Sequence, residues 1–325
     1  MKTNLYNSCG IPRGVAIVGP TASGKTSFSL FLAERMGGEI IGCDSMQIYC
    51  GMDIGTAKAT AEERARVPHH LIDFVDPCEP YSAADYGAAA RATAAEILAR
   101  GHLPILCGGT GLYLEAARLD RHSDLPPAPP HLRGELEREA AERGAEAMYA
   151  ALAEVDPASA AATHPNNLRR VLRALEIYRA TGRPKSEWDL ESRSRPPLLE
   201  LLVLGLFPKD REVLRHRIDL RVDAMVASGL FDEVRGLYER GKLQPGTTAA
   251  QAIGYKEVLA ALSGELPEDV AIENIKYATH RYARRQLTWF RAVPDLIPLA
   301  CDEGGVLPEE RERACSLVLD FLGRP

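Results

Sequence analysis

The fold class is indicated by one stretch of sequence, Val15-Ala-Ile-Val-Gly-Pro-Thr-Ala-Ser-Gly-Lys-Thr26. Its apolar start is typical of a buried β-strand, and its remainder, Gly19–Thr26, matches the pattern GxxxxGK[ST]. A helical pattern follows from Lys25 to Met36 and ends at two glycines, which commonly stop a helix. Strand, glycine-rich loop and helix in this order predict a phosphate-binding loop, because the loop N–H groups and the helix N-terminus face the anion.

The predicted loop supplies a charge and a metal ligand as well as backbone donors. Lys25 brings a positive charge to the phosphates, and the Thr26 hydroxyl suits Mg²⁺, which we expect as a cofactor. A carboxylate is expected to help hold the ion, and Asp44, Asp73 and Asp76 are all candidates. The residues predicted to bind phosphate or pyrophosphate in this loop are Gly19, Pro20, Thr21, Ala22, Ser23, Gly24, Lys25 and Thr26.

Strand and helix patterns continue to alternate after the loop. Short apolar runs at Glu39–Asp44 and Leu103–Cys107 predict two more strands, and His70–Asp73 is a third candidate. An alanine-rich helix is predicted ahead of Leu103, from a capping-box-like start at Ser82 to Arg100. This alternation is typical of βαβ units and predicts an α/β fold with a P-loop NTPase-like parallel sheet core.

The middle of the chain breaks this alternation. A proline-rich stretch at 125–130 is followed by helical patterns with little strand signal. A second polar, proline-containing break then precedes the return of an apolar strand at Leu198–Phe207. We therefore predict a catalytic core with C-terminal helices, formed by residues 1–121 and 196–325, and a mainly helical insertion domain formed by residues 122–195.

Composition and charge exclude several classes of protein. The chain has 325 residues, 46% of them hydrophobic, which excludes a wholly disordered chain and suits one large or two ordinary domains. Its net charge of −6 argues against a protein that is basic all over, but a local basic face is enough to bind nucleic acid. The seven cysteines form no CxxC pair, so we expect reduced thiols and a cytoplasmic location. We expect no membrane partner, because the sequence has neither a signal-peptide pattern nor an apolar run of spanning length.

Two stretches are locally basic. Residues 166–185 contain six basic residues and one acidic residue, and residues 274–294 contain five basic residues, no acidic residue and four interleaved aromatics. Arginines and aromatics suit contact with an RNA backbone and stacking on exposed bases. The alternative is that the aromatics belong to a helix core and the arginines to a solvated helix face.

The stretch after the second predicted strand, Asp44-Ser-Met-Gln-Ile-Tyr-Cys-Gly-Met-Asp-Ile-Gly-Thr-Ala-Lys58, is the most informative for function. Ligands of parallel sheets gather at the carboxyl ends of the strands, so Asp44 is expected beside the phosphate-binding loop. The stretch resembles the tRNA dimethylallyltransferases, also called tRNA isopentenyltransferases, which carry DS-x-Q-x-Y-x-G-x-DIGTAK. Further stretches that resemble this family are His69–Asp73, Gly108–Tyr113, Arg170–Glu176, Gln251–Lys256 and Arg284–Phe290.

The resemblance implies a prenyl transfer from dimethylallyl pyrophosphate to the exocyclic amine of the adenine on the 3′ side of the tRNA anticodon. The loop would then hold the leaving pyrophosphate, and Asp44 would act as the general base for the amine. By the same resemblance Thr110 lies near the target adenine. Arg217 is implied as the catalytic arginine that neutralises departing pyrophosphate, with Arg221 as a second phosphate ligand. From the residues alone, Arg217 and Arg221 share one face of a helix predicted to be capped by Asp210. The residues alone favour a solvated face, on which the two arginines pair with acidic neighbours.

The expected partners are dimethylallyl pyrophosphate and the anticodon stem-loop of tRNA, which the insertion domain is also expected to contact, and the protein is expected to be a monomer. No Cys/His zinc module of the kind that many eukaryotic members carry is visible, so the resemblance is to the bacterial form. The residues predicted to contact tRNA are Asp44, Ser45, Met46, Gln47, Arg169, Arg170, Arg173, Gln251, Gly254, Tyr255, Lys256, Arg281, Arg284 and Arg285.

Other functions share parts of this pattern. A relative that prenylates free adenine nucleotides would share the core motifs without needing the insertion, a P-loop kinase would transfer phosphoryl from ATP, and an RNA-binding factor would use a bound nucleotide as a switch. The chain also departs from the family at two positions. Cys50 stands where an arginine or lysine is usual and Ala59 where a proline is usual, which puts any phosphate contact at position 50 in doubt.

Overall fold

A seven-stranded sheet forms the centre of the fold in the computed structural model, which describes residues 4–119 and 129–323. The sheet order is β3-β2-β4-β1-β5-β6-β7, and all neighbouring strands are parallel except β6 and β7. The strands are β1 Arg13–Val18, β2 Gly38–Gly42, β3 His69–His70, β4 Leu103–Gly108, β5 Glu200–Pro208, β6 Ile297–Asp302 and β7 Gly305–Val306. The predicted α/β fold with a parallel sheet is confirmed, whereas the sequence patterns gave no indication of β6 and β7.

The helices that surround the sheet begin close to the predicted capping residues. Ser82 caps α3 with Asp85 in a capping box, and Asp210 caps α9 by accepting the N–H of Glu212. The helices are α1 Lys25–Met36, α2 Ala61–Arg66, α3 Ala83–Ala99, α4 Gly111–Arg118, α5 Pro130–Val155, α6 Pro157–Ala161, α7 Leu168–Thr181, α8 Lys185–Ser194, α9 Arg211–Ala227, α10 Leu230–Glu239, α11 Tyr255–Leu262, α12 Glu268–Arg291 and α13 Pro308–Gly323.

The sheet is covered on both faces, which explains the continuous apolar runs of its strands. Along β1, Val15 and Ile17 point to the face packed by α1 and α13, and Ala16 and Val18 point to the opposite face. That opposite face is packed by α3, α4 and helices α9 to α12. All four side chains are fully or almost fully buried, so the strand that precedes the phosphate-binding loop is rigidly held.

The described residues form two compact units, one with the residues up to Arg118 and from Leu198 onward, the other with the residues between them. The second unit is helical, and α5 packs on α7 through buried side chains such as Leu136, Leu152 and Val171. The predicted proline-rich stretch and the predicted boundary at residue 121 lie mostly outside the described residues.

The main chain leaves the first unit and re-enters it at adjacent points. The N–H of Leu198 donates a hydrogen bond to the carbonyl of Arg118 at 2.9 Å.

None of the described helices has the length and apolar character that a membrane crossing requires.

Candidate active site

A cavity of about 550 Å³ lies at the carboxyl ends of β1, β2 and β4, within the first unit. This is the edge at which parallel sheets bind ligands. The residues that line the cavity come from the parts of the chain that precede and follow the second unit in the sequence. The residues predicted for phosphate, catalysis or tRNA that line it are Thr21, Ala22, Gly24, Lys25, Thr26, Asp44, Ser45, Met46, Gln47, Arg217, Arg221, Gln251, Gly254 and Arg285.

The loop from Gly19 to Thr26 connects β1 directly to α1, as predicted. Gly24 precedes the helix with a φ of 91°, a left-handed conformation that glycine adopts at little cost. The Lys25 ammonium donates to the carbonyls of Gly19 at 3.1 Å and Pro20 at 2.7 Å. Burial lowers the pKa of Lys25 to about 8, because the charged form is poorly solvated there. A bound anion would restore the stability of that charge.

The two arginines of α9 differ in what they contact. Arg217 donates from Nε to the carbonyl of Ala22 at 2.7 Å and from Nη1 to the carbonyls of Asp302 and Glu303, so it ties the phosphate-binding loop to the turn between β6 and β7. Arg221 lies deeper, and its Nε is buried with no hydrogen-bond partner among the described residues. Burial lowers the pKa of Arg221, and the nearby carboxylate of Asp44 opposes that shift.

The alternative of a solvated face of paired charges is wrong for these arginines. Among the described residues, no carboxylate lies within ion-pairing distance of Arg217 or Arg221. The acidic neighbours on α9 pair elsewhere, Asp219 with His280 and Asp223 with Lys276. Both arginines therefore keep charge facing the cavity.

Asp44 is held by the turn that follows β2. Its Oδ1 accepts the N–H of Met46 at 2.9 Å, while its Oδ2 has no hydrogen-bond partner among the described residues. The Thr110 hydroxyl oxygen accepts the N–H of Ser45 at 3.0 Å, so Thr110 lies directly beside this turn. Asp44 therefore presents one free carboxylate oxygen next to the predicted adenine-binding threonine.

The other two carboxylates considered for this edge of the sheet are already engaged. Asp73 forms ion pairs with Lys58 and Arg64, and Asp76 forms one with Lys242. Neither residue lines the main cavity. Of the three candidates, Asp44 is therefore the one that lines the main cavity together with the phosphate-binding loop.

Comparison with known proteins agrees with this geometry. The model of the family described as IPP transferase matches residues 47–293, and that of isopentenyl transferase matches residues 13–71. The tRNA dimethylallyltransferase of Geobacillus thermodenitrificans is 53% identical over 85% of this chain and 87% of its own length. That of Roseiflexus sp. is 50% identical over 95% and 98% of the two chains.

The chain belongs to the IPP transferase family. It is a prenyltransferase, as the sequence motifs predicted. Solved structures agree: a tRNA isopentenylpyrophosphate transferase from Bacillus halodurans superposes with a TM-score of 0.67 at 44% identity over 95% of this chain and 97% of its own. A eukaryotic dimethylallyltransferase acting on tRNA superposes with a TM-score of 0.83 at 32% identity over 96% and 80%.

Gln286 connects two of the stretches that resemble the family, Arg284–Phe290 and Gly108–Tyr113. No sequence pattern predicted this role for Gln286. Its Oε1 accepts the N–H of Thr21, and its Nε2 donates to the carbonyl of Gly109, both at 2.9 Å. A Cβ on Gly109 would lie 2.2 Å from Gln286 Nε2, and one on Gly111 would lie 2.0 Å from the indole nitrogen of Trp289. The glycines beside Thr110 therefore make room for α12, which explains why both stretches carry the family resemblance.

A second missed residue, Glu233, holds the Asp-Ile-Gly-Thr-Ala-Lys segment of the family. Its carboxylate accepts the N–H groups of Asp53, Ile54 and Gly55 at 2.7–3.1 Å. It also accepts the hydroxyl of Tyr255 at 2.6 Å. Tyr255 departs from the predicted tRNA contacts, because its side chain is fully buried and supports this segment from within.

The remaining predicted tRNA contacts lie on helix surfaces. On α12, Arg281, Arg284 and Arg285 are exposed, and the guanidinium groups of Arg281 and Arg285 lie 5.7 Å from the ring centres of Tyr277 and Tyr282. The four aromatic residues of this stretch were predicted either to stack on RNA bases or to belong to a helix core. Among them, only Phe290 is fully buried. The other exposed members of the set are Arg169, Arg170 and Arg173 on α7, Lys256 on α11, and Gln251, which also lines the cavity.

Proposed function

We propose that this protein transfers a dimethylallyl group from dimethylallyl pyrophosphate to the exocyclic amine of the adenine on the 3′ side of the tRNA anticodon, giving isopentenyladenosine. One observation carries the proposal: the phosphate-binding loop and the free carboxylate oxygen of Asp44 line the same cavity. A donor held by its pyrophosphate and an acceptor amine beside Asp44 would meet there. The names of the relatives point to the same donor group and acceptor.

The chemistry needs a base because the adenine amine is a weak nucleophile. As the amine nitrogen bonds to the first carbon of the dimethylallyl group, the bond from that carbon to the pyrophosphate oxygen breaks, and the pyrophosphate leaves with the electron pair. The amine proton passes to Asp44, whose Oδ2 has no other partner among the described residues. Thr110, fixed beside Ser45, would position the base for this attack.

Positive charge lowers the barrier by stabilising the departing pyrophosphate. Lys25 and Arg221 are both partly buried, so their charges act on a ligand through less intervening water than at the surface. Arg217 fixes the loop through Ala22, with its Nη2 beside Gly24. We propose that Lys25 and Arg221 bind pyrophosphate directly, and that Arg217 both neutralises charge and holds the loop in shape.

The residues present fit a Mg²⁺ ion that arrives with the pyrophosphate. The described residues hold no cluster of three or more metal-binding side chains, so a protein cage is not the arrangement expected. Mg²⁺ is usually held by one or two protein oxygens together with substrate phosphates, and the Thr26 hydroxyl and the Asp44 carboxylate line the same cavity. Bound there, the ion would add positive charge beside the leaving group.

The tRNA is proposed to lie over the exposed arginines of α12, with the target base entering the cavity past Gln251 and Gly254. The arginines of α7 give the helical unit a basic surface suited to the same RNA. We also propose a monomer as the working form. We also retain the cytoplasmic location as a proposal, in keeping with the seven free cysteines.

The test is to follow labelled dimethylallyl pyrophosphate incubated with unmodified tRNA, with AMP, or with neither. We expect label in tRNA at the adenine next to the anticodon, and none when that adenine is replaced by guanine. Label in AMP with none in tRNA would establish the free-nucleotide activity instead. Turnover of ATP without prenyl transfer would overturn the proposal in favour of a kinase or a nucleotide-dependent switch.

A further inference from the structure

The main cavity has a charged end and an apolar end. The pairing of α9 with α12 shows the direction in which the cavity runs from one end to the other. Asp219 lies 2.8 Å from His280, and Asp223 lies 2.8 Å from Lys276. Four residues forward on α9 therefore correspond to four residues backward on α12, so the helices run antiparallel. Moving along α9 away from the phosphate-binding loop, the cavity passes from Arg221 to Met225.

The far end of the cavity is built from apolar side chains. Val222 and Met225 of α9 line it together with Ile275 of α12 and Ile253, which precedes α11. Arg221 and Met225 are one helical turn apart, about 6 Å along the axis. A prenyl chain whose pyrophosphate contacts Arg221 would extend over this turn and reach Met225.

A second cavity, of about 570 Å³, lies on the other side of these residues. Arg221 and Met225 are the two residues that line both cavities, so their side chains form the wall between them. The second cavity is also lined by Ala224 and Ser228 of α9 and by four charged side chains that pair with one another, Asp53, Lys58, Arg64 and Asp73. The Met225 side chain therefore closes the apolar end of the first cavity against a space large enough for further chain atoms.

We propose that Met225 determines which prenyl pyrophosphates the enzyme accepts, by stopping the chain after one isoprene unit. This inference rests on the proposed function and adds its donor specificity. A geranyl donor would undergo the same step: the amine bonds to the first carbon, the bond to pyrophosphate oxygen breaks, and the proton passes to Asp44. Only the second isoprene unit meets a different environment, because Met225 occupies the space that it would need.

The test compares kcat/KM for dimethylallyl and geranyl pyrophosphate, with tRNA as acceptor, in the wild type and in Met225→Ala. We expect the wild type to favour the dimethylallyl donor and Met225→Ala to lower that preference on the order of 10- to 100-fold, the usual range for hydrophobic size selection. Met225→Leu keeps an apolar wall of similar volume and should retain the wild-type preference. Val222→Ala is the matched cavity control, because Val222 lines the first cavity but not the second.

A further variant shows whether the gained space is the second cavity. Adding Ala224→Phe to Met225→Ala places a ring in that cavity and should restore the preference for the dimethylallyl donor. Met225→Val trims the same side chain less severely and provides the measurement if Met225→Ala is unstable.

The outcomes separate this inference from the proposed function. A wild type that uses both donors equally, or Met225 variants that keep the wild-type preference, would overturn the inference while dimethylallyl transfer stands. A wild type that transfers no dimethylallyl group to tRNA would overturn the proposed function itself.

Discussion

Gln286 and Thr21 are 265 positions apart in the chain, yet the side-chain oxygen of Gln286 accepts the N–H of Thr21 at 2.9 Å. The other end of the same amide donates to Gly109. The amide is almost fully buried, so both hydrogen bonds are shielded from water. One side chain therefore sets the spacing between the phosphate-binding loop and the turn that carries Gly109 and Thr110.

The first prediction concerns this bridge. Gln286→Ala should lower the free energy of unfolding by about 1–3 kcal/mol, because it leaves buried polar groups on both loops without partners. Gly109→Ala should also destabilise by about 1–3 kcal/mol through its clash with Gln286. Urea denaturation of the two single variants and the double variant measures the coupling. Because Gln286→Ala removes the clash, the double variant should lose less than the two single losses together; strict additivity would contradict the contact.

The second prediction concerns the base. Asp44→Asn keeps the size of the side chain but removes its proton acceptor, so single-turnover transfer should fall about 10² to 10⁴-fold. Affinity for tRNA should change far less. Titration with Mg²⁺ separates two roles, since partial recovery at high Mg²⁺ indicates a metal ligand and no recovery indicates a base. A rate near that of the wild type would show that Asp44 has neither role.

The third prediction uses the lowered pKa of Lys25. In the ligand-free protein this pKa is about 8, and bound pyrophosphate stabilises the charged form, so affinity for dimethylallyl pyrophosphate should weaken as pH rises above about 8. Lys25→Ala should bind weakly at every pH without this inflection. Lys25→Arg is the control, because its side chain stays charged throughout. Calorimetric titrations across pH 6–10 in low salt measure the effect, and the same inflection in Lys25→Ala would exclude Lys25 as its source.

The fourth prediction concerns the basic surface of α12. Arg281 and Arg284 are exposed and do not line the main cavity, so reversing both charges should weaken tRNA binding without changing affinity for dimethylallyl pyrophosphate. The plot of log affinity against log salt should become shallower by about 0.7 for each lost single-strand phosphate contact. Arg313→Glu, on α13 at the opposite face of the sheet, is the matched charge control. An unchanged slope would assign this surface to solvent.

The fifth prediction concerns stability at low pH. Glu39 accepts hydrogen bonds from Arg100, and His70 and His102 also contact its carboxylate. The pKa of Glu39 is lowered from 4.5 to about 2, and the hydrogen bonds from Arg100 are the largest cause. Burial acts in the opposite direction and raises this pKa. A lowered pKa stabilises the fold above pH 4.5, and this contribution is lost as pH falls toward 2. Glu39→Gln should therefore be less stable than the wild type at neutral pH, with the difference shrinking in acid; urea midpoints from pH 7 to 2.5 test this.

The sequence predicted the parts of the fold whose signals are local. The loop before α1, the capping box at Ser82 and the cap at Asp210 were identified because turn and cap chemistry depends on neighbouring residues. Gln286 and Glu233 were missed because their partners are distant in the chain, and a glutamine or glutamate within a helical pattern carries no sign of what it will contact. The β6–β7 pair was missed although its turn carries a local signal, since Asp302 accepts the N–H of Gly304 and a second glycine follows. The strand pattern is weak there because β7 has only two residues.

The hydrogen bond from Leu198 to Arg118 means that the helical unit begins and ends at one point of the core. Removing that unit leaves no gap to span, and a short glycine linker from Arg118 to Leu198 would close the chain with little loss of conformational entropy. The helical unit is thus a module that protein engineering can delete or exchange between relatives. The main cavity, whose residues all belong to the core, would be kept unchanged from one such chimera to the next.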